Sequence, residues 1–600
     1  MKIKSCVAAL LAVFMLGLMT SCEDMFDIPS NRVVYDHEIN STADSVYSTL
    51  GVLQGMRKIA DRYVLLGEVR GDMLQINDLS AKTSLRNLAN FNFDDENEYL
   101  NVRDYYAVIN NCNYALAKMD TTLAINNQLV MMDEYVALLS IRAWTYLQLA
   151  INYGEVYYYT EPVVSEAGVE EVKARGKKDI KAITEDLAPQ LIPYLDYDFP
   201  AWNWSTNAYP VLRLVLADMY LWSGDYENAT KYLEEYFMKN KKFSFSESDD
   251  NGAEMQPGYV NLGGTFAIWN GEENSNKLDN ISVTGETYFS TKVNSNGYEN
   301  LAYIQMEESN ETGIASELSD LFLSSTDADY SLYPSASWKS LNNQQLVFLL
   351  EGKDDMKTLK VSDKVGDMRR DAYKIFIATI NEMGVSELYE SYAKHIGTQI
   401  NIYRRSIACL RWAEAMNALA KQRYEVAVDS AQKAEARQLA VNSFYLLKDA
   451  SKVFFPDSSD VQKKFDRLYE KVQSHYIGIH ARGAGDVRED TVYYVLKPSV
   501  IAKKLGNGLT EADVTFNDTI EYIDNLIVDE LALESAWEGN RFGDLVRFAK
   551  RRQSWQDGNY RDFLATRVAN RGGEEISDEE RSELYEKLSS SEELWYLPFK

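Results

Sequence analysis

The stretch that decides the fold is residues 212–236, LRLVLADMYLWSGDYENATKYLEEY. Apolar residues recur in it at intervals of three and four, which predicts two helices separated by a break at Gly224 and Asp225. Glycine readily adopts the left-handed conformation that ends a helix, and aspartate is a strong helix N-cap. Tyr226 and Ala229 would let the second helix approach the first closely. The stretch therefore predicts an antiparallel helix pair.

This arrangement of small and aromatic residues matches the tetratricopeptide pattern. A second copy runs from Ser406 to about Ala434, with Tyr424 and Ala427 placed after a short turn. A longer helix, Val130 to Tyr153, is apolar on nearly every side and is followed by Gly154. Repeats of this kind stack to bury a continuous core. We predict a mainly α fold in which tetratricopeptide-like helical repeats form a right-handed superhelical scaffold.

Between residues 243 and 360 the composition shifts to Gly, Ser, Asn, Asp and Thr, which predicts a loop-rich, partly β insert. Aromatic residues stand among polar ones here and just before it, and a flat ring can stack on the apolar face of a sugar. Those aromatic residues are Trp202, Trp204, Trp269, Tyr288, Tyr298, Tyr303, Tyr333 and Trp338. From them and from an early polar loop we select as candidate ligand-binding residues Trp202, Trp204, Trp269, Tyr298, Trp338, Arg70, Asp72 and Asn77.

The first 22 residues predict export and a lipid anchor. Lys2 and Lys4 precede the uncharged apolar run from Val7 to Met19, which is too short to span a bilayer and has the form of a signal peptide. Small residues then lead to Cys22, as in a bacterial lipobox, where the cysteine is acylated. We expect residues 1–21 to be removed and residues 22–35 to form a flexible tether to the membrane.

Charge and cysteine content exclude several classes of protein. The 600 residues include 62 Lys and Arg but 91 Asp and Glu, so the formal net charge is −29. Nucleic-acid binding needs a basic surface, so we expect no nucleic-acid partner. Cys112 and Cys409 lie in helical patterns, which favours small buried apolar side chains. A disulfide between them stays open at this point.

Catalytic and metal-binding patterns are weak. Glu530, Glu534 and Glu538 form a stripe on one predicted helix, and two carboxylates could do glycosidase chemistry. Like charges at this spacing repel each other, so we favour a structural network with Arg541 and Arg547 as nearby cationic partners. Residues 247–252 slightly resemble a calcium loop, but a glycine stands where the bidentate carboxylate belongs. We expect no cofactor, and a structural calcium ion at residues 247–252 stays open.

Seven motifs, in order along the chain, resemble the SusD/RagB family of surface lipoproteins. They are Arg70-Gly71-Asp72, the helix YYAVINNCN with Asn110 and Asn113, Arg142-Ala143-Trp144 through Gly154, Gly366-Asp367-Met368-Arg369, YRRSIACLRWAEAMN from Tyr403, ELALESAWEGNRFGDLVR from Glu530, and WYLP from Trp595. The domain ranges that we predict on this basis are 1–21, 22–35, 36–240, 241–400 and 401–600.

The resemblance implies a non-catalytic protein at the outer membrane, anchored by lipid on Cys22 and facing the cell exterior. Such a protein would capture oligosaccharides and pass them to a SusC-like TonB-dependent transporter. A RagB-like peptide binder is the alternative within the family. A surface glycosidase and a periplasmic repeat scaffold that binds only proteins are alternatives from other classes.

Overall fold

The computed structural model describes most of the chain after residue 38. The described residues are 39–94, 96–197, 208–239, 300–323, 330–346, 348–351, 358–361, 366–367, 369–372, 374–380, 384–395, 397–454, 478–484, 494–506, 508–554 and 559–599.

Helices predominate in this part of the chain, which confirms the mainly α prediction. The α-helices are α1 Thr42–Glu68, α2 Thr83–Ala89, α3 Arg103–Lys118, α4 Met132–Tyr153, α5 Glu166–Ala174, α6 Ile180–Leu191, α7 Leu212–Ser223, α8 Tyr226–Glu234, α9 Leu318–Phe322, α10 Ala336–Asn343, α11 Arg369–Ala372, α12 Arg405–Val426, α13 Ser430–Lys448, α14 Ser451–Phe454, α15 Ala481–Ala484, α16 Pro498–Leu505, α17 Phe516–Glu534, α18 Arg541–Arg552, α19 Asp562–Ala569 and α20 Asp578–Ser590.

The strands of the described residues pair only in antiparallel twos: β1 with β7, β2 with β3, β4 with β5, β6 with β12, β8 with β9 and β10 with β11. Their bounds are β1 Leu74–Ile76, β2 Ala124–Ile125, β3 Gln128–Leu129, β4 Val156–Tyr157, β5 Lys177–Lys178, β6 Asn300–Gln305, β7 Leu332–Pro334, β8 Phe348–Glu351, β9 Thr358–Val361, β10 Lys374–Ile380, β11 Ser386–Tyr392 and β12 Gln399–Arg404.

The predicted helix pair is α7 and α8. Gly224 ends α7 in the left-handed conformation, with φ of 80°, and Asp225 caps α8 through a side-chain hydrogen bond to the backbone. Ala229 is completely buried. Across the pair, the rings of Tyr220 and Tyr232 stack with centroids 5.7 Å apart. The prediction of a tetratricopeptide-like pair is confirmed here.

The second pair, α12 and α13, has its turn later than predicted. Tyr424 lies inside α12 and Ala427 is its C-cap, so the turn does not precede them. The residues before Val426 have high helix propensity and include no glycine, so α12 continues to Val426, and Asp429 then caps α13. The hydroxyl of Ser443 in α13 donates to the carbonyl of Ala413 in α12 at 2.6 Å, so the two helices pack closely.

The chain divides into two compact units. The smaller consists of Met1–Ile59, Phe93–Tyr197 and Tyr596–Lys600, and the larger of Ala60–Asn92 and Asp198–Trp595. The boundaries predicted at 240 and 400 stay predictions, because residues 240–299 lie outside the described part.

In the smaller unit, two motif asparagines of α3 hold an extended segment. The side chain of Asn110 both donates to the carbonyl and accepts from the N–H of Val163, each at 2.8 Å. Asn113 donates to the carbonyl of Tyr159 at 3.3 Å and accepts from Arg142 of α4 at 3.0 Å. These polar groups are buried, so each needs the partner that the motif supplies.

The final residues also pack into the smaller unit. The ring of Phe599 meets Tyr106, Tyr153 and Tyr157 edge to face, with centroids 6.1, 5.9 and 5.5 Å away. The ammonium of Lys177 lies 4.0 Å from the centroid of Phe599. Phe599 therefore belongs to an aromatic cluster of the smaller unit.

Cys112 in α3 and Cys409 in α12 are both buried, as the helical patterns predict, and no disulfide joins the two.

Candidate functional site

Two tyrosines of the larger unit, Tyr330 and Tyr333, form an aromatic surface. Their ring centroids lie 5.3 Å apart and their planes are inclined at 48°. Both side chains are half-buried, so the rings are fixed by packing yet keep part of their area exposed. Fixed, partly exposed rings beside polar groups are typical of ligand-binding surfaces.

The alternation of a strand places Tyr333 on this surface. Leu332 and Pro334 of β7 are buried, and the intervening tyrosine therefore projects to the opposite side. Pairing with β1 fixes the register, with Gln75 opposite Tyr333. An early segment of the chain and a segment of the loop-rich region meet in this way.

The predicted candidate Asn77 lies at the same place. Its side-chain amide donates to the carbonyl of Tyr330 at 3.1 Å, and its side-chain oxygen accepts from the N–H of Leu79 at 3.1 Å. The hydroxyl of Ser80 donates to the same Tyr330 carbonyl at 2.9 Å. Asn77 thus fixes both its own loop and the backbone of Tyr330, while the Leu79 side chain is 95% exposed.

Buried aromatic residues support the surface from below. Tyr330 packs edge to face on Tyr392 at 6.4 Å, and Tyr392 packs on Trp537 at 5.4 Å. The predicted candidate Trp338 packs on Trp537 at 5.1 Å and is only 1% exposed. In this structure Trp338 therefore lies in the supporting layer and offers no face to a ligand.

Charged groups border the tyrosines. The Tyr333 hydroxyl lies 3.5 Å from a carboxylate oxygen of Glu575, and the ammonium of Lys339 lies 3.9 Å from the other. The same ammonium is 5.8 Å from the Tyr333 ring centroid. Partial burial, followed by the charge of Glu575, raises the pKa of Tyr333 to about 12, so its hydroxyl stays protonated and can donate.

The candidates Arg70 and Asp72 are buried away from any surface. Arg70 donates to the carbonyls of Leu66 at 2.8 Å and Trp595 at 3.1 Å. Both carboxylate oxygens of Asp72 accept from the guanidinium of Arg541, at 2.5 and 2.9 Å. These side chains make buried contacts that stabilise the early loop, and they are not exposed to solvent.

The remaining sequence candidates lie outside the described residues: Cys22, Trp202, Trp204, Trp269 and Tyr298. Sequence reasoning missed Tyr330, Lys339 and Glu575 as members of one cluster. The available signal was two tyrosines three residues apart, Tyr330 and Tyr333, on either side of the buried Leu332, but only the pairing with β1 brings Asn77 to them.

The glutamate stripe of α17 and the following turn is buried in ion pairs. Arg369 contacts Glu530 at 2.6 Å and Glu534 at 2.9 Å. Arg404 contacts Glu534 at 3.1 Å and Glu538 at 2.7 Å. We call this cluster, with His480, Lys394 and Asp367, the glutamate network. The prediction of a structural network agrees with these contacts.

The predicted partners of the stripe were wrong. Arg541 pairs with Asp72, and Arg547 pairs with Glu414 at 2.7 Å and with Asp544 at 2.8 Å. Nearness in sequence suggested these two arginines, but neither contacts the stripe. The arginines that do, Arg369 and Arg404, come from segments more than a hundred residues earlier, which local spacing cannot reveal.

The network keeps the carboxylates of Glu530 and Glu538 ionised. Burial by itself would raise the pKa of Glu530, but the charges and hydrogen bonds of Arg369 and His480 outweigh it and lower the pKa to about 2. Burial opposes ionisation of Glu538 as well, and Arg404 and Lys394 lower its pKa below the usual range. A glycosidase acid needs a raised pKa and access to substrate, and these two residues have neither.

Among the residues that the structure describes, no three or more His, Cys, Asp or Glu side chains group as a metal site. The calcium-like loop at 247–252 lies outside them. No helix in the described ranges has both the length and the apolar character to cross a bilayer.

Comparison with known proteins gives the fold. No family model matches the sequence, and no curated protein does. A SusD superfamily protein from Bacteroides vulgatus has a TM-score of 0.55 at 11% identity, over 93% of this chain and 96% of its own. One from Bacteroides thetaiotaomicron scores 0.48 at 14%, over 84% and 89%. A laminarin-binding SusD-like protein scores 0.48 at 14%, over 94% and 96%.

The TM-score of 0.55 over nearly the whole of both chains shows that this protein has the fold of the SusD superfamily. The resemblance that the sequence motifs indicate is thereby confirmed for the fold.

Proposed function

We propose that this chain is a non-catalytic, cell-surface glycan-binding lipoprotein that captures oligosaccharides and passes them to a SusC-like TonB-dependent transporter. The observation that carries the proposal is the surface of Tyr330 and Tyr333, where half-exposed rings adjoin amide, ammonium and carboxylate groups. This surface occurs on a chain with the SusD-superfamily fold. The motif resemblance supplies the transporter and the cell-surface location as parts of the proposal.

Capture would combine stacking with polar contacts. The apolar face of a sugar ring would lie on Tyr330 and Tyr333, and its hydroxyls would meet the groups that border the rings. Each bound sugar must give up well-made hydrogen bonds to water, so we expect modest affinity. The loop aromatics Trp202, Trp204, Trp269 and Tyr298 stay proposed as further ligand contacts.

The burial of the glutamate stripe in ion pairs supports a non-catalytic role. The glutamate stripe is the part of the sequence that best matches a glycosidase pair, and its members are engaged by Arg369 and Arg404. Capture with no bond cleavage is therefore the function that the geometry supports best.

Removing both rings should abolish most of the affinity. We expect the double variant Tyr330→Ala with Tyr333→Ala to bind the best glycan found on an array at least about 10-fold more weakly, because each lost ring contact is worth roughly 1 kcal/mol. Isothermal titration calorimetry on the soluble form without the lipid anchor measures this directly. Circular dichroism would check that the fold is kept.

Tyr220→Ala provides the control. Tyr220 is also a half-buried tyrosine with a neighbouring ring, but it lies on α7 and packs on Tyr232. Its loss should leave affinity unchanged. Equal affinity of the double variant and the wild type would remove the two tyrosines from the site, and binding of peptides with no binding of glycans would favour the RagB-like alternative.

The anchor is tested by the chemistry of the mature N-terminus. We expect mass spectrometry of the purified membrane form to find the chain beginning at acylated Cys22, and Cys22→Ala to release the protein from the membrane fraction. A mature chain that begins elsewhere, or a Cys22→Ala protein that stays in the membrane fraction, would contradict the lipoprotein proposal.

A further inference from the structure

We infer that Asp78 and Glu575 make the Tyr330–Tyr333 surface selective for uncharged glycans over glycans that carry carboxylate or sulfate groups. The inference rests on the proposed function, since it names the class of sugar that this same surface would take. It follows from where the charges stand around the rings.

Glu575 stands at the hydroxyl end of Tyr333. One of its carboxylate oxygens lies 3.5 Å from the tyrosine hydroxyl, and the side chain is 49% exposed. A sugar stacked on this ring would present its outer hydroxyls to the carboxylate. A hydroxyl can donate to a carboxylate in a charge-assisted hydrogen bond, whereas an anionic group on the sugar would be repelled.

Asp78 lies beside the same surface, in the turn that follows β1. It directly follows Asn77, whose amide donates to the carbonyl of Tyr330, and the hydroxyl of Ser80 in the same turn donates to that carbonyl too. Asp78 is exposed, and its charge adds, less than that of Glu575, to the causes that raise the pKa of Tyr333. Two exposed carboxylates therefore lie close to the two tyrosines.

The cations of this region already have partners. Lys339 lies over Tyr333 and 3.9 Å from Glu575. Lys82 pairs with Glu317 at 2.8 Å.

Arg86 donates to the carbonyl of Asp78 and, at 3.0 Å, to the hydroxyl of Thr83. An acidic sugar would have to displace one of these contacts to gain a counter-charge. An uncharged sugar needs no such exchange.

The experiment compares two sugars that differ only in charge. The probes are the best uncharged oligosaccharide from an array and the same oligosaccharide oxidised to the uronate at C6, each titrated calorimetrically at low salt. We expect the wild type to prefer the uncharged probe by about 10-fold, a factor consistent with one screened like-charge contact, and to prefer it less at high salt.

The double variant Asp78→Asn with Glu575→Gln should reduce this preference to less than about 3-fold while Tyr330 and Tyr333 remain. Glu227→Gln is the matched control. It also removes a negative charge, but from an exposed pair with Arg423, so it corrects for the net charge of the protein and should leave the preference unchanged.

The outcomes separate the two claims. A wild type that binds both probes equally, or a double variant that discriminates like the wild type, overturns the charge selectivity and leaves glycan binding standing. A wild type that binds no glycan on the array overturns both.

Discussion

Arg369→Met is expected to lower the free energy of unfolding by about 3–5 kcal/mol, because it leaves buried carboxylates without a cation. Arg369 is 1% exposed and contacts Asp367, Glu530 and Glu534 within 2.9 Å. Methionine keeps the length of the side chain, so the loss would report the charge more than the volume. Urea unfolding followed by circular dichroism measures the effect.

The control is Arg423→Met, which removes a guanidinium from an exposed ion pair with Glu227. Exposed pairs contribute about 0–1 kcal/mol, so this variant should unfold almost like the wild type. If the two variants differed by less than about 1 kcal/mol, the buried carboxylates would not depend on Arg369 as their counter-charge.

The pH dependence gives a second readout of the same variant. The pKa of Glu530 is lowered to about 2 in the folded protein, so its contribution is complete above its ordinary pKa and is lost as the pH falls toward 2. In Arg369→Met the principal cause of that lowered pKa is gone. We expect the variant to lose less stability than the wild type between about pH 4.5 and 2.

Glu68→Ala is expected to destabilise the larger unit by at least about 4 kcal/mol. The Glu68 carboxylate is buried and accepts the backbone N–H groups of Trp537, Gly539, Asn540 and Arg541 at 2.8 to 3.2 Å. Alanine would leave these donors without their acceptor, at a cost of roughly 1–3 kcal/mol for each donor that finds no replacement.

Glu68→Gln is the matched variant, because an amide oxygen can still accept from Gly539, Asn540 and Arg541. It should lose far less stability than Glu68→Ala. Burial raises the pKa of Glu68 to about 7 although the N–H groups oppose this, so the carboxyl contributes less stability as the pH rises from about 4.5 to 7. The stability of wild type relative to Glu68→Gln should therefore fall across that window, and equal loss in both variants would contradict the acceptor role.

The sequence and the structure agree where interactions are local. The helix pair around Gly224 and Asp225, and the long buried helix that ends before Gly154, follow from residue spacing and capping. The turn near Tyr424 was misplaced because the tetratricopeptide pattern outweighed plain helix propensity in the prediction. The boundary was decided by Asp429, which is the N-cap of the next helix.

The sequence predictions agree less well with the structure at the candidate site. Asn77 was selected and lies at the aromatic surface, whereas Arg70 and Asp72 were selected for the same reason and are buried among other side chains. Residue type alone cannot separate these cases, because a charged side chain in a motif can bind a ligand or satisfy a buried partner. Trp338 shows the same ambiguity for aromatic rings.

The sequence by itself determined the helical repeat pattern and the presence of a carboxylate stripe that needs cations, because each depends on neighbours within a few turns. Only the tertiary structure decided which cations meet the stripe and which tyrosines meet Asn77. Arg369 and Glu530 are 161 residues apart in sequence, and Asn77 and Tyr330 are 253 apart. Such pairs are fixed by the packing of whole elements, which places side chains together that no local spacing relates.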